Sequence, residues 1–198
     1  SSVTEVYEAA DAKLSADGWI VGRKTMAEYG ADVVEEKEPM EGHKTMQTNT
    51  FIGKREGRPL AVVFDIQGRL HYKSPTLPSG EHIVAVLGSH VTRAYQKELE
   101  EIGVSYIMRT PGSKLEETQS ALKHLEHNFN VKHMLLEGGA ITCGNFLQMG
   151  LVDELSMIVY PGLDGESDHP SVIECRGVVE PLKKNRLELI DCETIGSG

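Results

Sequence analysis

Five short apolar runs constrain this chain more than any other feature. They are "WIVG" (Trp19 to Gly22), "PLAVVFD" (Pro59 to Asp65), "HIVAVLG" (His82 to Gly88), "VSYIM" (Val104 to Met108) and "HMLLE" (His133 to Glu137). Each is rich in β-branched or aliphatic residues and is continuous rather than alternating, the pattern of a strand buried on both faces. Helical periods fall between and after them. Arg23 to Tyr29 reads as a short helix, and Val91, Ala94, Tyr95, Leu99 and Ile102 mark a second. Ser113 and Glu116 form a capping box ahead of a third helix, whose expected inner face is Leu115, Leu122, Leu125 and Phe129. Ile141 to Met149 gives a fourth. Doubly buried strands alternating with helices imply an α/β fold, a mostly parallel sheet with helices on both faces.

The remaining segments carry weaker signals. Ser2 and Glu5 have capping-box spacing, and Val3, Val6, Ala10 and Leu14 predict an amphipathic helix over residues 3–15. Gly30 to Arg58 loses periodicity and reads as a long excursion, of the kind that carries a function or moves. "ELSMIVYP" (Glu154 to Pro161) predicts a further strand, and "RLELIDCET" (Arg186 to Thr194) alternates as a half-exposed antiparallel strand does. Internal repeats are not found.

Charge and cysteine usage remove several functional classes. Thirty acidic against twenty basic side chains give a net charge of −10, and the basic residues are not segregated, so nucleic acid is not an expected partner. Cys143, Cys175 and Cys192 are widely spaced and odd in number, which suits a reducing compartment rather than a disulfide framework. No apolar stretch approaches the ~20 residues that span a bilayer, and the start of the chain lacks signal-peptide character. A cytoplasmic protein without membrane contact is the expectation.

Two strand exits stand out chemically. In "LLEGGAITCGNF" (Leu135 to Phe146) a strand ends on Glu137, Gly138 and Gly139, where a backbone without Cβ atoms lets a phosphate or a flat ring approach. A tight bend is the competing reading. The run is not the dinucleotide fingerprint, because Ala140 and the spacing to Gly144 break it. In "VGRKTM" (Val21 to Met26) another strand ends in glycine, followed by Arg23, Lys24 and Thr25, a set suited to a phosphate such as the 2′-phosphate of NADP. The alternative there is a solvated basic pair with Thr25 as a helix cap.

At "DGWIVGRKTM", "PLAVVFDIQGRL" and "LLEGGAITCGNFLQMGLVDELSMIVYPGLDG" the chain resembles the dihydrofolate-reductase-like superfamily. The resemblance is closer to the reductase domain of the bifunctional riboflavin-biosynthesis deaminase/reductase and its stand-alone relatives. It runs in family order from about Asp17 to Gly165. It implies a dihydrofolate-reductase-like sheet, mostly parallel, with an antiparallel C-terminal portion. It also implies an NADPH site built from Gly22, Arg23 and Thr25 on one side and Gly138, Gly139, Ala140, Ile141 and Thr142 on the other, with Glu137 as a substrate-side carboxylate. The implied reaction reduces the ribosyl group of a 5-amino-6-(5-phosphoribosylamino)uracil-type or 2,5-diaminopyrimidinone substrate to ribityl. No catalytic residue is assigned, no metal is implied, and a homodimer is common among the relatives. Two alternatives stand beside this reading: a non-catalytic nucleotide-binding protein of the same fold, and a same-fold reductase of a pterin or other substrate.

The sequence departs from the family at Tyr29, where several relatives carry aspartate, and at both ends. Relatives open on a strand bearing "S-x-D-G" and close on an apolar antiparallel strand. Residues 1–198 are therefore expected to form a single reductase-like domain short of its first and last strands, with some substrate contacts outside this numbering. Lys37, Lys44 and Arg55 of the long excursion are candidates for a substrate phosphate. His124, His127 and His133 read as a solvated helix face and its neighbour rather than a metal set. Cys143 lacks an evident histidine partner, so it reads as core filling rather than a nucleophile.

Overall fold

A computed structural model of the chain describes residues 6–7, 10, 13–29, 33–35, 50–159, 162, 171–175 and 187–194. The chain divides into two compact units, residues 16–139 and residues 1–15 with 140–198.

The first unit holds a five-stranded parallel sheet. Its strands are β1 (Gly18–Gly22), β3 (Leu60–Phe64), β5 (His82–Leu87), β6 (Ser105–Met108) and β7 (Leu135–Gly138), in the order β6-β5-β3-β1-β7. The continuous apolar runs end up where that composition requires: β5 and β6 are buried at every position, and β3 at all but its last residue. β1 and β3 run in register from Gly18 opposite Leu60 to Gly22 opposite Phe64. Gly18 permits this pairing, because its φ is +156° and a Cβ there would lie 2.2 Å from the Leu60 carbonyl oxygen. Since all five strands are parallel, Gly22, Phe64, Leu87, Met108 and Gly138 share one edge of the sheet. That carboxyl edge is where α/β sheets place ligands.

Three helices belong to this unit: α1 (Arg23–Tyr29), α2 (Arg93–Ile102) and α3 (Lys114–Phe129). The Thr92 hydroxyl caps α2 by accepting from Tyr95 N, and Gly103 closes it with φ +91°. The capping box of Ser113 and Glu116 forms at the start of α3 as the sequence predicts. The buried face of α3 agrees with the expected one in the second half of the helix and differs in the first. Leu125 and Phe129 face inward as expected, joined by Thr118 and Ala121, whereas Leu115 in the first turn is exposed and Leu122 is half-buried.

Two short strands were not expected. β2 (Val33–Glu35) pairs antiparallel with β4 (Leu70–Tyr72), so part of the long excursion is tied to the segment after β3. Phe51 makes an isolated antiparallel bridge to Tyr106, donating to its carbonyl at 3.0 Å and accepting back at 2.9 Å.

In the second unit, α4 (Ala140–Gln148) follows β7 directly in the chain. Val6, Tyr7, Ala10, Lys13 and Leu14 are helical, and the rest of the helix expected over 3–15 lies outside the described residues. The C-terminal strand expectations are corrected here. Residues 154–159 and 187–194 carry no strand, and residues 160, 161 and 186 lie outside the described set. Alternation produces a strand only when a neighbour supplies a ladder and a core face. Neither segment has a ladder among the described residues, and Met157, Val159, Leu187, Leu189 and Ile190 are 64–81% exposed. Among the described residues, no helix is long and apolar enough to cross a membrane.

Candidate functional site

The basic strand exit and the glycine strand exit are neighbours. β1 and β7 pair in parallel, Trp19 opposite Leu135 and Ile20 opposite Leu136. An irregularity then shifts the register, so Val21 meets Gly138 and Glu137 falls at the shift. Beyond the paired residues, the Gly139 N–H donates to the Thr25 hydroxyl oxygen at 3.1 Å. Thr25 thus joins the two exits and retains its own hydroxyl proton for another acceptor. Gly138 has φ +139°, a conformation that favours glycine, yet a Cβ there would come no nearer than 3.9 Å to Thr25. Glycine is needed here for backbone conformation, and the space beside it stays open.

Beside β1, the chain leaves β3 at Asp65, which is fully buried. Its Oδ2 accepts from the backbone N–H groups of Arg69 at 2.7 Å and Leu70 at 2.9 Å. It also lies 3.3 Å from the Tyr95 hydroxyl, which donates to the Leu70 carbonyl at 2.6 Å. These bonds fold residues 65–70 into a turn and deliver the chain into β4. Burial pushes the Tyr95 and Tyr72 phenols well above their ordinary pKa, and the Asp65 carboxylate adds to the effect in both. Both phenols therefore remain protonated donors. Asp65 Oδ1 and the Tyr72 hydroxyl are buried without a hydrogen-bond partner among the described residues.

Arg23 is the first residue beyond β1 on the same edge. Burial holds its guanidinium below the usual pKa, the positive charge of Arg69 adds to this, and Asp65 opposes it. Two cations and a buried carboxylate thus lie within electrostatic reach of one another at the exits of β1 and β3.

The remaining sequence-derived residues are placed as follows. Gly22 ends β1 and Glu137 is half-buried in β7. Ala140, Ile141 and Thr142 form the first turn of α4, in the second unit. Lys37 and Lys44 lie outside the described residues. Arg55 precedes β3, on the amino side of the sheet, where its guanidinium donates to the carbonyls of Arg58 and Phe129, both at 2.5 Å. Among the described residues no cluster of histidine, cysteine or carboxylate suits a metal ion. Burial pushes the Cys143 thiol up, the opposite of what a nucleophilic thiolate needs.

The sequence profile of the RibD C-terminal domain matches residues 7–198, almost the whole chain. The chain belongs to the RibD C-terminal domain family. It is 26% identical over 144 residues to the 2,5-diamino-6-ribosylamino-4(3H)-pyrimidinone 5′-phosphate reductase of Archaeoglobus fulgidus, a match covering 73% of this chain and 62% of that relative. The chain therefore spans less than two thirds of the relative's length. Among solved structures it is similar to a pyrimidine reductase-like protein from Corynebacterium diphtheriae, at 21% identity and a TM-score of 0.45 over 70% of this chain and 56% of that one. In this member of the RibD C-terminal domain family, sequence reasoning missed Asp65, Arg69, Tyr72 and Tyr95 as parts of the carboxyl edge. The available signal was an aspartate ending a strand three residues before Gly68, a turn signature in "VVFDIQGRL".

Proposed function

We propose that the chain is an NADPH-dependent reductase of the riboflavin-biosynthesis type. Its substrate would be a 5-amino-6-(5-phosphoribosylamino)uracil-type or 2,5-diaminopyrimidinone phosphate, whose ribosyl group is reduced to ribityl. The observation that carries this reading is the Gly139 to Thr25 hydrogen bond, which ties a glycine exit and a basic exit into one edge. The residues fit a nicotinamide dinucleotide phosphate in kind. Gly138 leaves an open approach to the backbone, Thr25 has a hydroxyl proton to donate, and Arg23 offers a cation to a phosphate. When bound, the nicotinamide supplies the hydride.

The chain's own contribution is then orientation and selection. Glu137 accepts hydrogen bonds from sugar hydroxyls. We extend the proposal to a homodimer, supported by the exposed Leu155, Met157 and Val159, which suit a subunit contact; light scattering tests it. The test of the main reading is titration of NADPH and NADH followed by nicotinamide fluorescence, with turnover of the phosphorylated substrate measured on the same preparation. Saturable binding with a preference for NADPH is expected. Absence of binding to either dinucleotide rejects the reading.

A further inference from the structure

We infer that Asp65 Oδ1 and the Tyr72 hydroxyl hold a single internal water molecule between them, which fastens the β2–β4 ribbon to the exit of β3. Nothing in the sequence joins these two residues, which flank a glycine turn. The fold brings them together. As the chain leaves β3, the Asp65 carbonyl accepts from Gly68 N at 3.1 Å, and its Oδ2 takes the N–H groups of Arg69 at 2.7 Å and Leu70 at 2.9 Å, so the chain doubles back beside the carboxylate. Residues two apart in a strand share a face, so Tyr72 follows Leu70 onto the same side of β4, and both are buried. The phenol thus enters the interior near the side chain that makes the turn. That the carboxylate contributes to the raised pKa of this phenol agrees with the placement.

Hydrogen-bond accounting selects the ligand. Oδ2 already serves two backbone donors and lies 3.3 Å from the Tyr95 hydroxyl, whose proton goes to the Leu70 carbonyl at 2.6 Å. An acceptor, Asp65 Oδ1, and a donor, the Tyr72 hydroxyl, are left over, both buried and neither bonded among the described residues. Buried polar atoms in native interiors nearly always have a partner. One water satisfies both at once, accepting from the phenol and donating to the carboxylate. Two groups that feel each other's charge without bonding directly stand further apart than one hydrogen bond, which is the gap a bridging water spans. A metal ion does not suit the place: the phenol keeps its proton, and among the described residues no cluster of histidine, cysteine or carboxylate could hold one. Tyr72 is paired in register with Val33, so a water on its phenol links β2 and β4 to the turn after β3. Neither atom reaches solvent, and the site does not depend on the proposed reduction.

The test compares wild type with Tyr72→Phe, which keeps the ring and removes the hydroxyl. The turn is held by backbone N–H groups on Oδ2, so the variant keeps its fold, and circular dichroism melts check this. Magnetic relaxation dispersion of the water oxygen counts internal waters that stay longer than the protein takes to tumble. The dispersion amplitude is expected to fall by a single water in Tyr72→Phe, and equal amplitudes in the two folded proteins overturn the inference. A high-resolution crystal structure of wild type supplies a readout that needs no variant. Solvent density within hydrogen-bond distance of both Asp65 Oδ1 and the Tyr72 hydroxyl is expected. A phenol bonded directly to Oδ1, or no density between the two, overturns the inference whatever the stability of Tyr72→Phe.

Discussion

The Gly139 N–H donates to the Thr25 hydroxyl oxygen at 3.1 Å, so a side chain on the helix after β1 fixes the backbone leaving β7. Thr25→Val keeps the shape and removes the acceptor. Gly139 is exposed, so water takes over its N–H and the loss of stability is small, about 1 kcal/mol or less. The turn is no longer held, and NADPH affinity is expected to fall about tenfold. Thr25→Ser, which keeps the oxygen, should retain most of the affinity. Fluorescence titration of the three proteins checks this, and equal affinity in wild type and Thr25→Val rejects the role given to the bond.

Glycines 18 and 138 both have positive φ but differ in surroundings, and the difference predicts two outcomes. A Cβ on Gly18 would sit 2.2 Å from Leu60 O and 2.6 Å from Leu60 N, backbone atoms that cannot yield without opening the β1–β3 ladder. Gly18→Ala should fail to fold or lose more than about 4 kcal/mol. A Cβ on Gly138 meets nothing nearer than 3.9 Å, so Gly138→Ala bears only conformational strain, about 1–2 kcal/mol. Chemical denaturation separates the two. A Gly138→Ala protein as unstable as Gly18→Ala means that the space beside Gly138 is not open.

Legibility followed the range of the interactions. β3, β5 and β6 were readable because a strand buried on both faces writes its apolar run locally, and the Ser113–Glu116 box because its two halves are three residues apart. β2 and β4 were not, since each is three residues long and the partner lies 35 or more residues away. The alternation of residues 187–194 looked like a strand, but a period alone does not supply a neighbour. At the site, the glycine and basic exits were visible as local motifs, while the Asp65 to Tyr95 contact spans 30 residues and left only a turn signature. Arg69 was invisible for the same reason: its position comes from a bond made by its backbone, which is common to every residue type but proline.

Asp65 is expected to be the most sensitive polar position of the first unit. Asp65→Ala leaves the N–H groups of Arg69 and Leu70 without their acceptor, and Leu70 is fully buried. A loss of about 3 kcal/mol or more is expected from these orphaned donors and the lost charge-assisted bonds. Asp65→Asn keeps one carbonyl oxygen for them and should cost about half as much. Tyr95→Phe leaves only the Leu70 carbonyl without its phenol donor, and about 1 kcal/mol is expected. Urea denaturation of the three variants gives the ranking, and an Asp65→Ala protein as stable as Tyr95→Phe contradicts the account.

On the amino edge of the sheet, His82 sets a pH dependence of stability. The residue is fully buried at the start of β5, its Nε2 lies 2.7 Å from Ser105 Oγ, and that oxygen accepts from Gly53 N at 2.9 Å. Ser105 either donates to Nε2 or accepts from it, according to the ring tautomer. Burial, with the positive charges of Arg55 and Arg58, lowers the His82 pKa to about 4 from an ordinary 6.5. The folded state resists protonation that the unfolded state accepts. Stability from this group is thus fully present above pH 6.5 and is lost as pH falls from there toward about 4. Between pH 6.5 and about pH 5 the loss should amount to about 2 kcal/mol. Carboxylates held below their usual range, such as Asp17 and Glu100, act lower, beneath their unfolded values of 3.8 and 4.5. His82→Gln keeps a polar group near Ser105 and removes the titration. Urea denaturation of wild type and His82→Gln across this window should show a sloping curve for the first and a flatter one for the second, and identical slopes would rule His82 out as the source.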